Sequence, residues 1–149
     1  MSRLRWSAGI VMAVLATATP VVAQQPSAAG RIKVVSGSAF IVRQNATLPA
    51  ELGQEVFETD SLKTGADGRI GITLKDDTRV SLGPSSELHL QHFVYEPGTG
   101  SLGMVLQFVR GAAAYVSGRM AKLAPQSIRL ETPAAIVGVR GTSLAVRVD

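Results

Sequence analysis

From residue 31 onward, apolar and polar side chains alternate with a period of two. Ile70, Ile72 and Leu74 alternate with Gly71 and Thr73. Val80 and Leu82 alternate with Arg79 and Ser81, and Leu88 and Leu90 with His89 and Gln91. Met104, Leu106 and Phe108 share one phase, as do Ile128 and Leu130, and Leu144, Val146 and Val148. Successive side chains of a strand point to opposite faces, so each set predicts a strand with one apolar and one polar face. Turn-forming clusters separate the sets: Ser36-Gly37, Ala66-Asp67-Gly68, Lys75-Asp76-Asp77-Thr78, Gly83-Pro84-Ser85-Ser86 and Glu96-Pro97-Gly98-Thr99-Gly100. Strand and turn at such short intervals predict an all-β domain of short antiparallel strands, a β-sandwich or a β-roll. No window here carries a helical stripe. Gln44 to Thr59 holds Asn45, Pro49 and Gly53 among isolated apolar residues and reads as a long surface excursion. Ser117 to Gln126 reads as a basic connecting loop.

The N-terminus follows a different pattern. Arg3 and Arg5 precede a mostly apolar run from Ser7 to Thr19, then Pro20 and Val21-Val22-Ala23. That is the layout of a cleavable secretory signal over residues 1–23. A bilayer-spanning helix needs about 20 apolar residues, more than this run supplies. Cleavage after Ala23 would leave a chain with no membrane span, opening on a mobile lead-in over residues 24–30. No cysteine follows the run, so acylation of a lipoprotein is not expected. Residues 31–149 then form one domain, long enough to bury a core without disulfides.

The export signal alters the charge picture. The chain has 15 Lys and Arg against 11 Asp and Glu, net +4. Without Arg3 and Arg5 the balance falls to 13 against 11, net +2. The remaining cations, among them Arg31, Lys33, Arg43, Lys63, Arg69, Lys75 and Arg79, are spread singly along the sequence. Nucleic-acid binders concentrate theirs in a stripe, so no nucleic-acid partner is expected.

Candidate chemistry is sparse. His89 and His92, at i and i+3 of a strand, should face opposite ways and hold no metal jointly. Asp76-Asp77 sits where a tight turn is expected, with Asp bonding the local backbone rather than a cation. The serines lack a Gly-x-Ser-x-Gly context. No catalytic, cofactor or metal residue is expected, and the chain reads as a non-enzyme. Asp60 and Thr64 bracket a short segment as turn or loop anchors. Arg140 lies between Val139 and Gly141 in the most apolar part of the chain, with Gly138 and Thr142 beside it. Its guanidinium needs solvent or a buried acceptor. The structural reading ties the last strand to an earlier loop, through Asp60 or a set of carbonyls; the functional reading binds an anionic group.

Several short motifs recur in a familiar order: Gly37-Ser38-Ala39-Phe40-Ile41-Val42-Arg43, Leu52-Gly53, Asp60-Ser61-Leu62-Lys63-Thr64-Gly65, Gly68 to Thr78, and the closing stretch Thr132 to Val148. Together they resemble the FecR-like domain of bacterial envelope proteins over residues 31 to 148. The resemblance implies an all-β module and a place outside the cytoplasm. Its best-known members couple a cytoplasmic anti-sigma segment and one membrane span to a periplasmic portion that listens to an iron-siderophore receptor. Only Met1 to Trp6 precede the apolar run, and the sequence stops at Asp149, so a free-standing exported domain is expected instead. The resulting expectation is a periplasmic interaction or sensing module whose partner is another envelope protein. Recognition of glycan or peptidoglycan, and an accessory part in iron-responsive transmembrane signalling, are the alternatives.

Overall fold

The computed structural model describes residues 9, 16–21, 26–138 and 143–149. Twelve strands form one continuous sheet that curls on itself. In chain order they are β1 (Gly30–Ser36), β2 (Ala39–Arg43), β3 (Ala46–Pro49), β4 (Glu55–Val56), β5 (Ser61–Thr64), β6 (Arg69–Leu74), β7 (Arg79–Leu82), β8 (Glu87–Glu96), β9 (Ser101–Val116), β10 (Ile128–Glu131), β11 (Ile136–Gly138) and β12 (Ser143–Val148). Strands take 56% of the described residues and helix 6%, so the class is all-β. The main path runs β3-β2-β5-β8-β9-β7-β6-β1-β4.

The curl is made by β9, which has 16 residues. Its first part pairs with β8 from Ser101 to Arg110, and on its other side with β10. Its second part pairs with β7 and, from Gly111 to Val116, with β12. One sheet layer is therefore β4, β1, β6, β7, the end of β9 and β12. The other is β3, β2, β5, β8, the start of β9, β10 and β11. Between the two parts stands Gly111 at φ +84°, a conformation that strains any residue with a Cβ. A Cβ there would also strike the Ser86 hydroxyl and the Ser85 carbonyl.

The core lies between the layers. Ile41, Leu62, Leu88, Leu90, Met104, Leu106 and Leu130 on one side meet Ile32, Ile70, Ile72, Val80 and Tyr115 on the other, each at most 2% exposed. Ile70, Ile72, Val80, Leu88, Leu90, Met104, Leu106 and Leu130 are in-phase positions of the sequence pattern, whereas Ile32, Ile41, Leu62 and Tyr115 lie outside the sets it picked out. Leu144, Val146 and Val148 are only partly buried against the cluster, since β12 lies at a margin.

Several expectations change. The stretch 44–59 is no plain excursion: β3 pairs with β2, β4 pairs with β1, and Val56 is fully buried. Arg119–Leu123 forms a one-turn helix, α1, within the expected loop, and Met120 anchors it in the core. Nor is every strand short and antiparallel, because β10 runs parallel to β9. The lead-in is fixed by its end: Ala29 is buried, donates to the Val56 carbonyl at 2.7 Å and accepts from Lys75 N at 2.8 Å. Among the described residues no helix is long and apolar enough to cross a membrane.

Tyr115 carries a testable consequence of this burial. It points inward from β9, 1% exposed, and burial pushes its phenol above the ordinary 10.0. The folded protein then holds this proton more tightly than the unfolded chain. The associated stability is complete below the unfolded pKa and is lost as pH rises past it. Tyr115→Phe should therefore lose less stability than the native protein between about pH 9 and about pH 11, read from urea midpoints. Equal alkaline losses in both proteins would show that the phenol does not contribute.

Candidate functional site

Of the residues singled out in the sequence, Asp60 and Thr64 stand at the two ends of β5, both buried at 1% and 5% exposure. Gly138 ends β11, opposite Arg129 of β10. Arg140, Gly141 and Thr142 lie outside the described residues. The structure therefore sets Asp60 just before β5 and Thr64 at its end, with Gly138 apart on β11.

Asp60 is held by Arg43, the last residue of β2. Arg43 Nε donates to Oδ1 at 3.0 Å and Nη2 to Oδ2 at 2.8 Å, a two-point grip suited to a planar guanidinium and a carboxylate. The same Nη2 donates to the Glu55 carbonyl at 3.0 Å, and Phe57 N donates to Asp60 Oδ2 at 2.9 Å. The guanidinium carbon lies 4.7 Å from the centre of the Phe57 ring, within cation–π range. The hydrogen bonds it donates to Asp60 raise the Arg43 pKa above its ordinary range. The cluster fastens β2 to the segment between β4 and β5. Arg43 was not picked out in the sequence, although a signal was present: Ala39, Ile41 and Arg43 share one phase of β2, and the first two are buried. An arginine on the inward phase requires a buried acid, and Asp60 meets that need.

Thr64 belongs to a second knot. Its hydroxyl donates to the Gly83 carbonyl at 2.6 Å and accepts from Ser86 N at 2.9 Å. Ser86 Oγ in turn accepts from Ala112 N at 2.9 Å, and the Ala112 carbonyl lies 3.1 Å from it. These bonds lock the turn before β8 against the bend of β9. A third knot surrounds Asp76, which is fully buried. Its carboxylate accepts from Thr78 N at 3.1 Å, Thr78 Oγ1 at 2.7 Å and Met120 N at 3.3 Å, while its carbonyl accepts from Arg119 N at 2.6 Å. Asp76 thus makes the expected turn and also holds the start of α1, a long-range contact with no sequence signal.

The histidines depart from the expected geometry. The β8–β9 register shifts between Leu90 and His92, so Leu88, Leu90 and Phe93 are the buried positions and both histidines fall outside them. His89 Nδ1 meets Ser61 Oγ at 2.8 Å, and His92 Nδ1 meets Glu58 Oε2 at 3.2 Å. Among the described residues no cluster of His, Asp and Glu could hold a metal ion. Asp67 is exposed, and hydrogen bonds from Ser38 hold its carboxyl below the usual range.

The FecR protein family matches residues 60–149, more than half of the chain, and the chain belongs to that family. The match opens on Asp60, later than the residue 31 where the sequence motifs begin. The family is associated with iron-responsive transmembrane signalling. No curated protein and no solved structure matches the chain.

Removing the guanidinium would leave Asp60 as a buried charge with one backbone donor. Breaking a buried pair costs about 3–5 kcal/mol, so Arg43→Ala should lower unfolding stability by about 3 kcal/mol. Arg43→Met combined with Asp60→Leu should recover most of that loss, because an apolar pair leaves no unpaired charge. Urea unfolding of the native protein and the two variants checks this, and a double variant as unstable as the single one would contradict it.

Proposed function

We propose that this chain is a non-enzymatic β-rich interaction or sensing module of the bacterial envelope, working in the periplasm after export. The observation that carries the reading is the fate of the groups that could do chemistry. Asp60, Thr64, Asp76 and Ser86 are buried, and each is spent on ties between strands or turns. Ser61 and His89 form a hydroxyl–imidazole pair, yet among the described residues no acid orients the imidazole from its far side. A serine nucleophile depends on that third group. What remains for function is surface. β3 is exposed along its whole length and is paired only with β2, leaving an edge that an extended segment could join by strand addition.

Glycan recognition is less well supported. Sugar-binding faces present exposed aromatic rings, whereas Phe93, Phe108 and Tyr115 are buried, and Phe40, Phe57 and Tyr95 are half-buried. An accessory part in iron-responsive signalling is the second reading, favoured by family membership.

Export is tested by intact mass. The mature protein should begin at Gln24, and a retained N-terminus in the membrane fraction would overturn the periplasmic reading. Crosslinking in the periplasm followed by pull-down should then recover another envelope protein in defined stoichiometry. Capture of peptidoglycan fragments without protein would favour the glycan alternative.

A further inference from the structure

The sheet register collects cations that the sequence scatters. On the layer containing β2, β5, β8, the start of β9 and β10, the cationic residues meet acids: Arg43 meets Asp60, Lys63 and Arg110 meet Glu87, and Arg129 meets Glu131. The other layer is different. Arg31 pairs with Glu55, but Lys33, Arg69, Arg79 and Arg147 have no acidic partner among the described residues. No Asp or Glu occurs in β1, β6, β7, residues 111–116 or β12. The acids at the margins are otherwise placed: Asp77 pairs with Arg119, Asp67 bonds Ser38, and Asp149 makes no ion pair with Arg147.

The register also fixes the pattern of this face. Gly71 pairs with Ser81, Ser81 with Ala114, and Ala114 with Ala145, giving a cross-strand row of small side chains. Arg147 is opposite Ala112, and Arg79 is opposite Val116, four residues further along β9. Arg69 borders a shallow depression of about 260 Å³ floored by Ser81, Gly83, Ala112 and Ala114. Strands lie about 4.8 Å apart and rise about 3.4 Å per residue, so the backbones at Arg69, Arg79 and Arg147 stand about 14–17 Å from one another. All three side chains are exposed.

We propose that this face docks an acidic, extended segment of a partner protein, with Arg69, Arg79 and Arg147 gripping its carboxylates. The proposal rests on the interaction-module reading and names the chemistry of the partner. Charge complementarity is the first argument, since unpaired guanidinium groups on strands β6, β7 and β12, which carry no acid, favour carboxylates in two-point geometry. Spacing is the second. Carboxylates at i and i+4 of an extended chain lie on one side, about 14 Å apart, which matches the arginine spacing. The floor is the third: glycine, alanine and serine let a backbone lie close to the sheet, within reach of the arginines. The face carries no aromatic residue on which a sugar ring could stack.

The test uses the exported protein, residues 24–149, and a fluorescent peptide of alternating Glu and Thr. Binding should weaken steeply with salt, and a Lys-Thr peptide of equal length should bind at least tenfold more weakly. Arg69→Gln/Arg79→Gln/Arg147→Gln should lose about tenfold in affinity while keeping the native melting temperature. The control Lys63→Gln/Arg110→Gln/Arg129→Gln removes equal charge from the other layer and should lose less than threefold. Equal losses in both triple variants would reduce the effect to net charge and overturn the proposal. So would binding to phosphatidylglycerol vesicles, but not to peptide, that the first triple variant abolishes, since that marks a membrane-facing surface. The periplasmic pull-down separates this idea from the reading beneath it. A partner captured equally by native protein and the first triple variant leaves the module intact and removes this face. No protein partner for the native chain removes the module.

Discussion

A strand shared by two sheet layers has to bend, and the bend in β9 is the constraint on which the rest of the domain depends. β7 and β8 each find their second neighbour in β9, so neither layer is complete without it. The bend is met by Gly111, whose positive φ and missing side chain let Ser86 approach. Ser86 then bonds Ala112 on one side and Thr64 on the other. The backbone N–H and the hydroxyl of Ser86 thereby couple the end of β5, the turn before β8 and the bend of β9. A buried polar relay of this kind is tolerable only when each member is satisfied, and here the partners are supplied by three separate parts of the chain.

The core was legible in the sequence wherever a strand was long enough to show its period. Ile70, Ile72 and Leu74, or Leu88 and Leu90, are buried as their alternation requires. β4 escaped notice because two residues are too few to display a period, and β3 because it is exposed throughout, so no apolar phase exists to be read. Met120 was hidden for a related reason, since a single buried residue on a one-turn helix leaves no stripe. The register shift near His92 was invisible because a bulge inserts one residue without any required residue type at that point.

The polar anchors were half legible. Asp60 and Thr64 stood out, and both proved to be internal ties. Their partners did not, because Arg43 and Ser86 lie 17 and 22 residues away, and only the strand order brings them near. The charge pattern follows the same logic. Arg69, Arg79 and Arg147 look isolated along the chain, and the antiparallel register sets them around one small-residue floor. The acids are distributed unevenly by the same register, which neutralises one layer and leaves the other cationic.

The place of β9 in the chain has a consequence for biogenesis. Synthesis delivers the N-terminus first, so β1 to β8 emerge as two unjoined halves, β4-β1-β6-β7 and β3-β2-β5-β8. Each half then ends in a naked strand, β7 or β8, whose backbone groups await β9. Unpaired strand edges invite association between chains. The interval between the emergence of residue 96 and that of residue 116 is therefore the vulnerable moment in the life of this protein. Protection of the nascent chain is needed in that interval alone, since the native state already covers both strands.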